Sequence, residues 1–412
     1  MTRPESVAMS TERLARLKGV LDDYLGPDKL AGVSTLIARK GEIVHLAAQG
    51  FSDRENNIPM TPDTLVRIYS MTKPITCTAL MTLYEQGKFQ LMEPVAKFIP
   101  KFAKLKVYSG HSVLGDRYED LQRPVSIRDL LTHTVGLSYH IFEYGAVEAM
   151  YREAKVCSPK PLDEFVDGLL ELPLAFQPGS AYRYSFAHDV VARLVEVMSG
   201  KPFDVYLKEA LFEPLGMQDT GFFVPEDKHE RFAAMYGRNE FLESDMTFSR
   251  WAGLDIPAES RRLYGAKDCL ESKPHNILRG GHGLVSSAQD YFKFCQMLLN
   301  GGSFNGQRIL SRKTIELMTA NHLPASFLPY EIGGNPWLGY GYGLGFRTLM
   351  DIGAAQLPGS LGEFGWAGAA STYFWIDPKE ELIGVMMTQS QPSGLFLVNQ
   401  AFRTMAYQAI ID

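Results

Sequence analysis

The sequence is poor in cysteine and has no excess of basic residues. Its four cysteines, Cys77, Cys157, Cys269 and Cys295, lie far apart and form no Cys-x-x-Cys pair. This spacing predicts unpaired thiols and indicates no zinc site. The net charge is −6, from 41 basic and 47 acidic residues. Because nucleic acids and anionic membranes both attract basic surfaces, we expect neither as a partner.

Long apolar runs are also missing, and the longest falls well short of the roughly 20 residues that span a bilayer. The first 25 residues lack the apolar core of a secretory signal and predict an amphipathic helix. We therefore expect a cytoplasmic protein. The content of 45% hydrophobic and 21% charged residues is typical of a globular chain, and 412 residues suffice for two domains or one domain with an insertion.

Strand patterns lie near both ends of the chain, and helical patterns fill its middle. The stretch AGVSTLIARKGEIVHLAAQGFSD predicts a β-hairpin with Gly41 in its turn, and STYFWIDP and ELIGVMMTQS predict strands near the C-terminus. We predict an α/β fold whose antiparallel sheet combines N- and C-terminal strands and is covered by helices. The α/β domain is predicted at 1–90 and 285–412, with a mainly helical domain inserted at 91–284 and a cleft between them.

The stretch RIYSMTKPITCTALMTLYEQG, residues 67–87, carries the first chemical signal. Ser70 stands three residues before Lys73 at the predicted start of a helix, so both side chains lie on one helix face. A serine hydroxyl needs a nearby base to act as a nucleophile, and an amine can accept its proton only when neutral. Pro74 is tolerated only in a first helical turn, so it marks a helix start where free N–H groups can face an oxyanion. Ser-x-x-Lys also occurs by chance, so a catalytic interpretation needs support from other motifs in the chain.

Five further segments follow SMTK in a recognisable order. They are LTHTVGL (131–137), YRYSFAHD (182–189), GGHGLVSSAQD (280–290), GYGLGF (341–346) and GWAGAAST (365–372). Together the six segments resemble the serine β-lactamase and penicillin-binding-protein superfamily, and within it the class C β-lactamase-like esterases called family VIII carboxylesterases. The resemblance implies a β-lactamase/transpeptidase-like fold and hydrolysis of short-chain carboxylic esters without cofactor or metal. An acyltransferase, a weak β-lactamase and a penicillin-binding sensor are the alternatives.

The resemblance also implies roles for individual residues. Ser70 matches the nucleophile that forms the acyl-enzyme, and Lys73 and Tyr184 match a coupled general base and acid. The backbone N–H groups of Ser70 and Ala369 match the oxyanion hole. Tyr182 is a rival for the role of Tyr184, and the sequence leaves open whether the lysine or the tyrosine is the resting base.

Two departures from the β-lactamase motifs bear on the substrate. Phe186 replaces the asparagine of Tyr-x-Asn, and Trp366, Ala367 and Gly368 replace Lys-Thr-Gly. The missing lysine is the group that would bind a substrate carboxylate. We expect Trp366 to form an apolar wall, with Gly368 and Phe186 as further substrate-binding positions, so that neutral short-chain esters are preferred to β-lactams.

Histidine offers no better catalytic motif. His133, His188 and His282 lie within the matched segments, and we predict structural or peripheral roles for them. The chain contains neither the Gly-x-Ser-x-Gly of α/β-hydrolases nor the His-Glu-x-x-His of zinc proteases. GYGLGF lacks the spacing of a dinucleotide-binding loop and is predicted to be a strand at the edge of the cleft.

Overall fold

The computed structural model describes residues 1–142, 145–237 and 260–412. The α-helices are α1 (Thr11–Asp22), α2 (Thr72–Glu85), α3 (Ile127–Leu131), α4 (Ala146–Glu153), α5 (Leu162–Leu169), α6 (Ala187–Ser199), α7 (Phe203–Leu207), α8 (Glu213–Leu215), α9 (Ala288–Leu299), α10 (Arg312–Thr319), α11 (Ile352–Ala355) and α12 (Val398–Tyr407). A π-helical turn, Lys208–Phe212, joins α7 to α8. Short 3-10 turns lie at Pro4–Val7, Tyr69–Met71, Val95–Lys97, Pro100–Lys104, Glu226–Arg231, Leu270–Ser272 and Ala325–Phe327.

The strands follow the same numbering along the chain. They are β1 (Gly32–Arg39), β2 (Glu42–Asp53), β3 (Ile58–Pro59), β4 (Val66–Arg67), β5 (Lys106–Ser112), β6 (Gly115–Asp120), β7 (Met235–Gly237), β8 (Arg261–Tyr264), β9 (Val285–Ser286), β10 (Ser303–Phe304), β11 (Gln307–Arg308), β12 (Glu331–Ile332), β13 (Asn335–Pro336), β14 (Tyr340–Tyr342), β15 (Arg347–Leu349), β16 (Phe364–Ala367), β17 (Tyr373–Asp377), β18 (Leu382–Thr388) and β19 (Ser390–Gln391).

The main sheet joins the two ends of the chain, as predicted. Its eight strands run in the order β14-β15-β16-β17-β18-β1-β2-β3, and each neighbouring pair is antiparallel. β1 lies between β18 and β2, with Val33 opposite Thr388. The N-terminal hairpin therefore extends a sheet built from the C-terminal strands. Its turn has Lys40 at φ 51° and Gly41 at φ 82°, the left-handed pair that a tight hairpin requires.

Helices cover both faces of this sheet. Every residue of β1 is buried, which is typical of a strand covered on both faces. Val33 and Ile37 point to one face and join a core with α1 and α12, while Leu36 points to the other and joins the core that contains α2 and α9. This alternation with a period of two follows from strand geometry.

The region between the sheet halves is rich in short helices, although one hairpin within it was not predicted. β5 and β6 pair over Lys106–Asp120 and carry the exposed side chains of Val113 and Leu114 at their turn. Their sequence, KVYSGHSVLGDRYED, alternates only weakly because both faces are largely exposed. The proposed boundaries of the helical insertion stay a prediction.

The segment that carries Ser70 begins slightly differently from the prediction. Ser70 lies in the 3-10 turn Tyr69–Met71, and α2 follows directly from Thr72 to Glu85. Pro74 is the third residue of α2, within the first turn, where no intrahelical N–H is required of it. The helix ends at Glu85, and Gly87 follows it at φ 72°. No helix in the described ranges is long and apolar enough to cross a membrane.

Candidate active site

Lys73 is the centre of the candidate site. Its side chain is 0% exposed. The Nζ atom lies 3.2 Å from Ser70 Oγ, 3.0 Å from the Tyr139 hydroxyl and 2.7 Å from the carbonyl oxygen of Gly281. Three acceptors match the three N–H bonds of an ammonium. A neutral amine would fit equally well, donating to Tyr139 and Gly281 and accepting the hydroxyl hydrogen of Ser70.

Ser70 reaches Lys73 because a turn and a helix meet at this point. The 3-10 turn keeps the serine partly exposed at the start of α2, and one helical turn brings the amine onto the same face. The carbonyl of Gly281 comes from the segment that precedes β9. The structure therefore brings together the serine and the lysine that the sequence predicted.

Tyr184 lies beside the lysine but does not bond to it through its hydroxyl. The amine of Lys73 lies 4.5 Å from the centre of the Tyr184 ring, and the Tyr184 hydroxyl accepts a hydrogen bond of 3.3 Å from Nε1 of Trp366. Within the described part of the chain, no hydrogen bond joins Lys73 to that hydroxyl. The predicted pair is thus in contact through a cation–π geometry, with Trp366 orienting the phenol.

Tyr139 is the residue that the sequence analysis missed. It follows the segment LTHTVGL by two positions, and no spacing rule relates it to Lys73 in the sequence. Burial and the nearby carboxylate of Asp189 hold the pKa of Tyr139 well above its usual value. The phenol is therefore neutral at physiological pH. It accepts a hydrogen bond from Lys73, and its ring centre lies 5.4 Å from that of Tyr184.

Two backbone N–H groups lie free near the serine. Among the described residues, neither the amide of Ser70 nor that of Ala369 has a hydrogen-bond acceptor. Ala369 follows β16, and the end of this strand packs against the turn that carries Ser70. Gly368 lies so close to Ile68 that an added Cβ would come within 2.4 Å of the Ile68 carbonyl oxygen. Glycine at this position therefore permits the strand to approach the nucleophile.

The predicted substrate-binding aromatics occupy two different places. Trp366 stacks on Trp337 at 5.6 Å and forms an edge contact with Tyr342, so it does form an aromatic wall next to Tyr184. Phe186 lies deeper, with its ring 4.2 Å from that of Tyr139 and 5.4 Å from that of Phe165. It therefore packs behind the lysine rather than beside Trp366.

Three other residues named by the sequence pack around the site. The buried Nδ1 of His133 lies 3.2 Å from Ser185 Oγ, and its ring stacks at 4.3 Å on His188. Burial and the nearby charges of His188 and Lys73 keep the pKa of His133 well below its usual value. The hydroxyl of Tyr182 is buried without a partner among the described residues and makes no bond to Lys73. This arrangement fits packing better than proton transfer for both His133 and Tyr182.

The four cysteines form no disulfide with one another. The described His, Cys, Asp and Glu side chains do not gather in groups of three that could hold a metal ion.

Comparison with known proteins gives a consistent set of relatives. A profile of the Beta-lactamase family matches residues 17–406. Protein Rv1367c of Mycobacterium tuberculosis is 32% identical over 367 residues, which cover 88% of this chain and 86% of that protein. Esterase EstB of Burkholderia gladioli is 30% identical over 392 residues, covering 92% and 91% of the two chains.

A solved structure extends the likeness to the fold. EstCE1, described as a hydrolase with promiscuous acyltransferase activity, matches with a TM-score of 0.77 at 25% identity and covers 96% of this chain and 99% of its own. This likeness confirms the predicted fold class. The chain therefore belongs to the β-lactamase family, which confirms the resemblance that its ordered motifs predicted.

Proposed function

We propose that this protein hydrolyses short-chain carboxylic esters through an acyl-enzyme on Ser70. The observation that carries the proposal is the hydrogen bond of 3.2 Å between Ser70 Oγ and the buried amine of Lys73. A weak serine nucleophile requires such a base within hydrogen-bond reach. The similarity to Esterase EstB and to EstCE1, which is described as a hydrolase, supports ester substrates.

In the acylation step, Ser70 Oγ attacks the ester carbonyl and its proton passes to neutral Lys73. The tetrahedral oxyanion accepts hydrogen bonds from the amides of Ser70 and Ala369, the two free donors beside it. The carbon–oxygen bond to the alcohol then breaks. The departing alkoxide takes a proton from the coupled pair of Lys73 and Tyr184.

Deacylation repeats these steps with water in place of the serine. A base of the same pair takes a proton from water as its oxygen attacks the acyl carbon, and the carbon–oxygen bond to Ser70 breaks. The serine regains its proton and the carboxylic acid leaves. If an alcohol replaces the water, the same site transfers the acyl group and forms a new ester.

The walls of the site favour an uncharged group next to the serine. Trp366 stands where a lysine would bind a carboxylate in a β-lactamase, and it stacks on Trp337. A charge-assisted hydrogen bond from such a lysine to a carboxylate would contribute about 1.5–3 kcal/mol. Without it, we expect transition-state binding of β-lactams to be weaker by about 10- to 150-fold.

The nucleophile is tested with Ser70→Ala. We expect wild-type protein to hydrolyse p-nitrophenyl butyrate and Ser70→Ala to retain no more than a trace, because the change removes only the attacking oxygen. Ser6→Ala, at an exposed serine of the N-terminal turn, is the matched control. A phosphonate ester should label the Ser70 peptide in a mass spectrum. Full activity of folded Ser70→Ala would exclude Ser70 as the nucleophile.

The reaction class is tested by comparing p-nitrophenyl butyrate with nitrocefin and by adding an alcohol as acyl acceptor. We expect the wild type to have a higher kcat/KM for p-nitrophenyl butyrate than for nitrocefin. A preference for nitrocefin would overturn the esterase proposal in favour of a β-lactamase. If an added alcohol diverts most of the acyl group into a new ester, acyl transfer is the main reaction.

A further inference from the structure

A cavity lies beside the ring of Phe186. Its volume is about 180 Å³, which exceeds the space that a carboxylate on a short chain needs. Its walls include Phe165, Phe186, Glu271, His275, Arg279 and His282. Neither the predicted catalytic residues nor Trp366 line it.

Arg279 is the cationic group of this cavity's wall, and it is 5% exposed. Its guanidinium lies 4.0 Å from the centre of the Phe165 ring, and Nη1 donates a hydrogen bond of 3.0 Å to the carbonyl of Leu278. Among the described residues, no carboxylate forms an ion pair with it, and Nε and Nη2 have no acceptor. A buried charge without a partner is costly, so this arrangement favours an anionic ligand.

The two carboxylates near the cavity do not form an ion pair with Arg279. Glu271 forms an ion pair of 3.1 Å with Arg67. Asp189 accepts a hydrogen bond from the amide of Gly281 and forms no ion pair with any described residue. Its attraction for Arg279 is weaker than that of a contacting carboxylate, because Coulomb energy falls with distance. The carboxylate of Asp189 also lies against Gly281, the residue whose carbonyl accepts a hydrogen bond from Lys73.

Two histidines of the wall differ in what they can bind. His275 is satisfied, with Nε2 bonded to the carbonyl of Phe222 and Nδ1 accepting from the amide of Ile277. The ring of His282 has no hydrogen-bond partner among the described residues. His282 can therefore donate a second hydrogen bond to a ligand that Arg279 holds.

A larger cavity elsewhere does not offer the same chemistry. It has a volume of about 370 Å³ and lies between α3 and the residues that follow α10. Both of its arginines are already bonded, Arg123 to the carboxylate of Asp129 and Arg128 to the carbonyl of His322. Unlike this larger cavity, the cavity of Arg279 contains a buried guanidinium with no carboxylate partner among the described residues.

The cavity of Arg279 is close to the reacting groups. Arg279 precedes Gly281 by two residues, and the Gly281 carbonyl accepts a hydrogen bond of 2.7 Å from Lys73. Phe186 forms the wall between them, since its ring contacts Tyr139 on one side and Phe165 on the other. A carboxylate on a substrate chain that passes beside Phe186 would meet the guanidinium of Arg279.

We propose that this cavity binds a carboxylate of the ester substrate, held by Arg279 and His282, so that the preferred substrates are esters of dicarboxylic or hydroxycarboxylic acids. The inference rests on the proposed ester hydrolysis and adds its substrate class. It assigns the anionic position to Arg279, in a cavity that Trp366 does not line.

Two matched substrate pairs test the wild type. In the first, mono(4-nitrophenyl) adipate is compared with 4-nitrophenyl hexanoate, so the carboxylate is on the acyl chain. In the second, 4-carboxyphenyl butyrate is compared with 4-carbamoylphenyl butyrate, so it is on the alcohol. After correction for hydroxide-catalysed rates, we expect kcat/KM to favour the acid in one pair by about 10- to 100-fold. If neither acid is preferred, the proposal is wrong.

Substitutions then locate the preference. We expect Arg279→Gln to reduce the acid-to-neutral ratio of kcat/KM to near one, and Arg279→Lys to retain part of it because the charge remains. Arg16→Gln, which removes an exposed guanidinium from α1, should leave the ratio unchanged. An unchanged ratio in Arg279→Gln would show that another group binds the carboxylate.

A binding measurement separates this inference from the proposed function. Glutarate should raise the thermal unfolding midpoint of Ser70→Ala relative to sodium chloride at equal ionic strength, and the double variant with Arg279→Gln should show no such shift. If no ester is hydrolysed but glutarate binds in this way, the function fails and the anion site remains. If esters are hydrolysed and glutarate gives no shift, the anion site fails.

Discussion

At the scale of single residues, the site depends on how Lys73 is surrounded. Its amine contacts the oxygen of Ser70, the hydroxyl of Tyr139 and the carbonyl of Gly281, and it lies against the ring of Tyr184. We propose that the two tyrosines have different tasks. Tyr139 accepts a hydrogen bond from the amine and positions it, whereas the hydroxyl of Tyr184, which accepts a hydrogen bond from Trp366, exchanges a proton with the substrate.

Phenylalanine substitutions distinguish these tasks. We expect Tyr184→Phe to lower kcat by about 10²–10⁴-fold, as the loss of a proton-transfer group does. Tyr139→Phe leaves a buried donor of Lys73 without its acceptor, which costs about 1–3 kcal/mol or about 5- to 150-fold. Tyr182→Phe, which removes a hydroxyl without a partner, is the matched control. Steady-state kinetics with p-nitrophenyl butyrate measure all three.

The order of the losses decides the assignment. If Tyr139→Phe is more damaging than Tyr184→Phe, Tyr139 is the proton-transfer group and Tyr184 only packs against the amine. A large loss in Tyr182→Phe would instead assign the role to Tyr182. In the double variant Lys73→Ala/Tyr184→Phe, the loss should be smaller than the product of the single losses, because the two residues act as one unit.

At the scale of elements, the centre of the main sheet depends on a glycine opposite a tryptophan. Gly384 in β18 pairs with Trp375 in β17. A Cβ added at Gly384 would lie 2.1 Å from the ring of Trp375, and that ring is fully buried. The tryptophan therefore lies across the space that a side chain would occupy, and it packs on Phe402 of α12.

Two glycine-to-alanine changes test this packing, and we expect them to change the free energy of unfolding in opposite directions. Gly384→Ala should lower the free energy of unfolding by about 1–3 kcal/mol, because the added methyl overlaps a ring that cannot move. Gly19→Ala, on the exposed face of α1 with nothing within 4 Å of the added carbon, should raise it by up to about 1 kcal/mol. Urea unfolding followed by circular dichroism measures both. A neutral Gly384→Ala would mean that the sheet and α12 yield more easily than their burial suggests.

At the scale of the whole molecule, several histidines are buried in the neutral form. Burial lowers the pKa of His45 and of His140 to about 4, and of His188 to about 3. In the unfolded chain their pKa is about 6.5. Below that pH the unfolded state therefore binds protons that the folded state does not. Their contribution to stability is complete above about pH 7 and is lost as the pH falls toward the folded values.

We therefore expect the free energy of unfolding to fall between pH 7 and pH 5. Each such histidine contributes at most about 1.4 kcal/mol per pH unit. Urea unfolding at pH 7.5, 6.5 and 5.5 measures the slope. His188→Asn should reduce it, while His111→Asn, at an exposed histidine of the β5–β6 hairpin, serves as the control. Equal stability at the three pH values would contradict the expected burial of neutral histidines.

The sequence by itself determined the parts that depend on local pattern. The strands at the two ends and a helix that starts just after Ser70 follow from residue spacing, as does the approach of Ser70 to Lys73, because neighbouring residues fix local backbone geometry. The ordered motifs also identified the family. The weakly alternating hairpin of β5 and β6 shows the limit, since an element exposed on both faces leaves little hydrophobic pattern.

Only the tertiary structure decided which distant side chains meet. Tyr139 bonds to Lys73 across 66 positions, and Trp366 donates to Tyr184 across 182. The cavity of Arg279 likewise forms where α5 meets the segment before β9. Such contacts depend on how helices and strands pack, and packing is set by the burial of the whole core. A sequence pattern therefore predicts the nucleophile, whereas the partners of its base and the unpaired guanidinium become visible only in the folded chain.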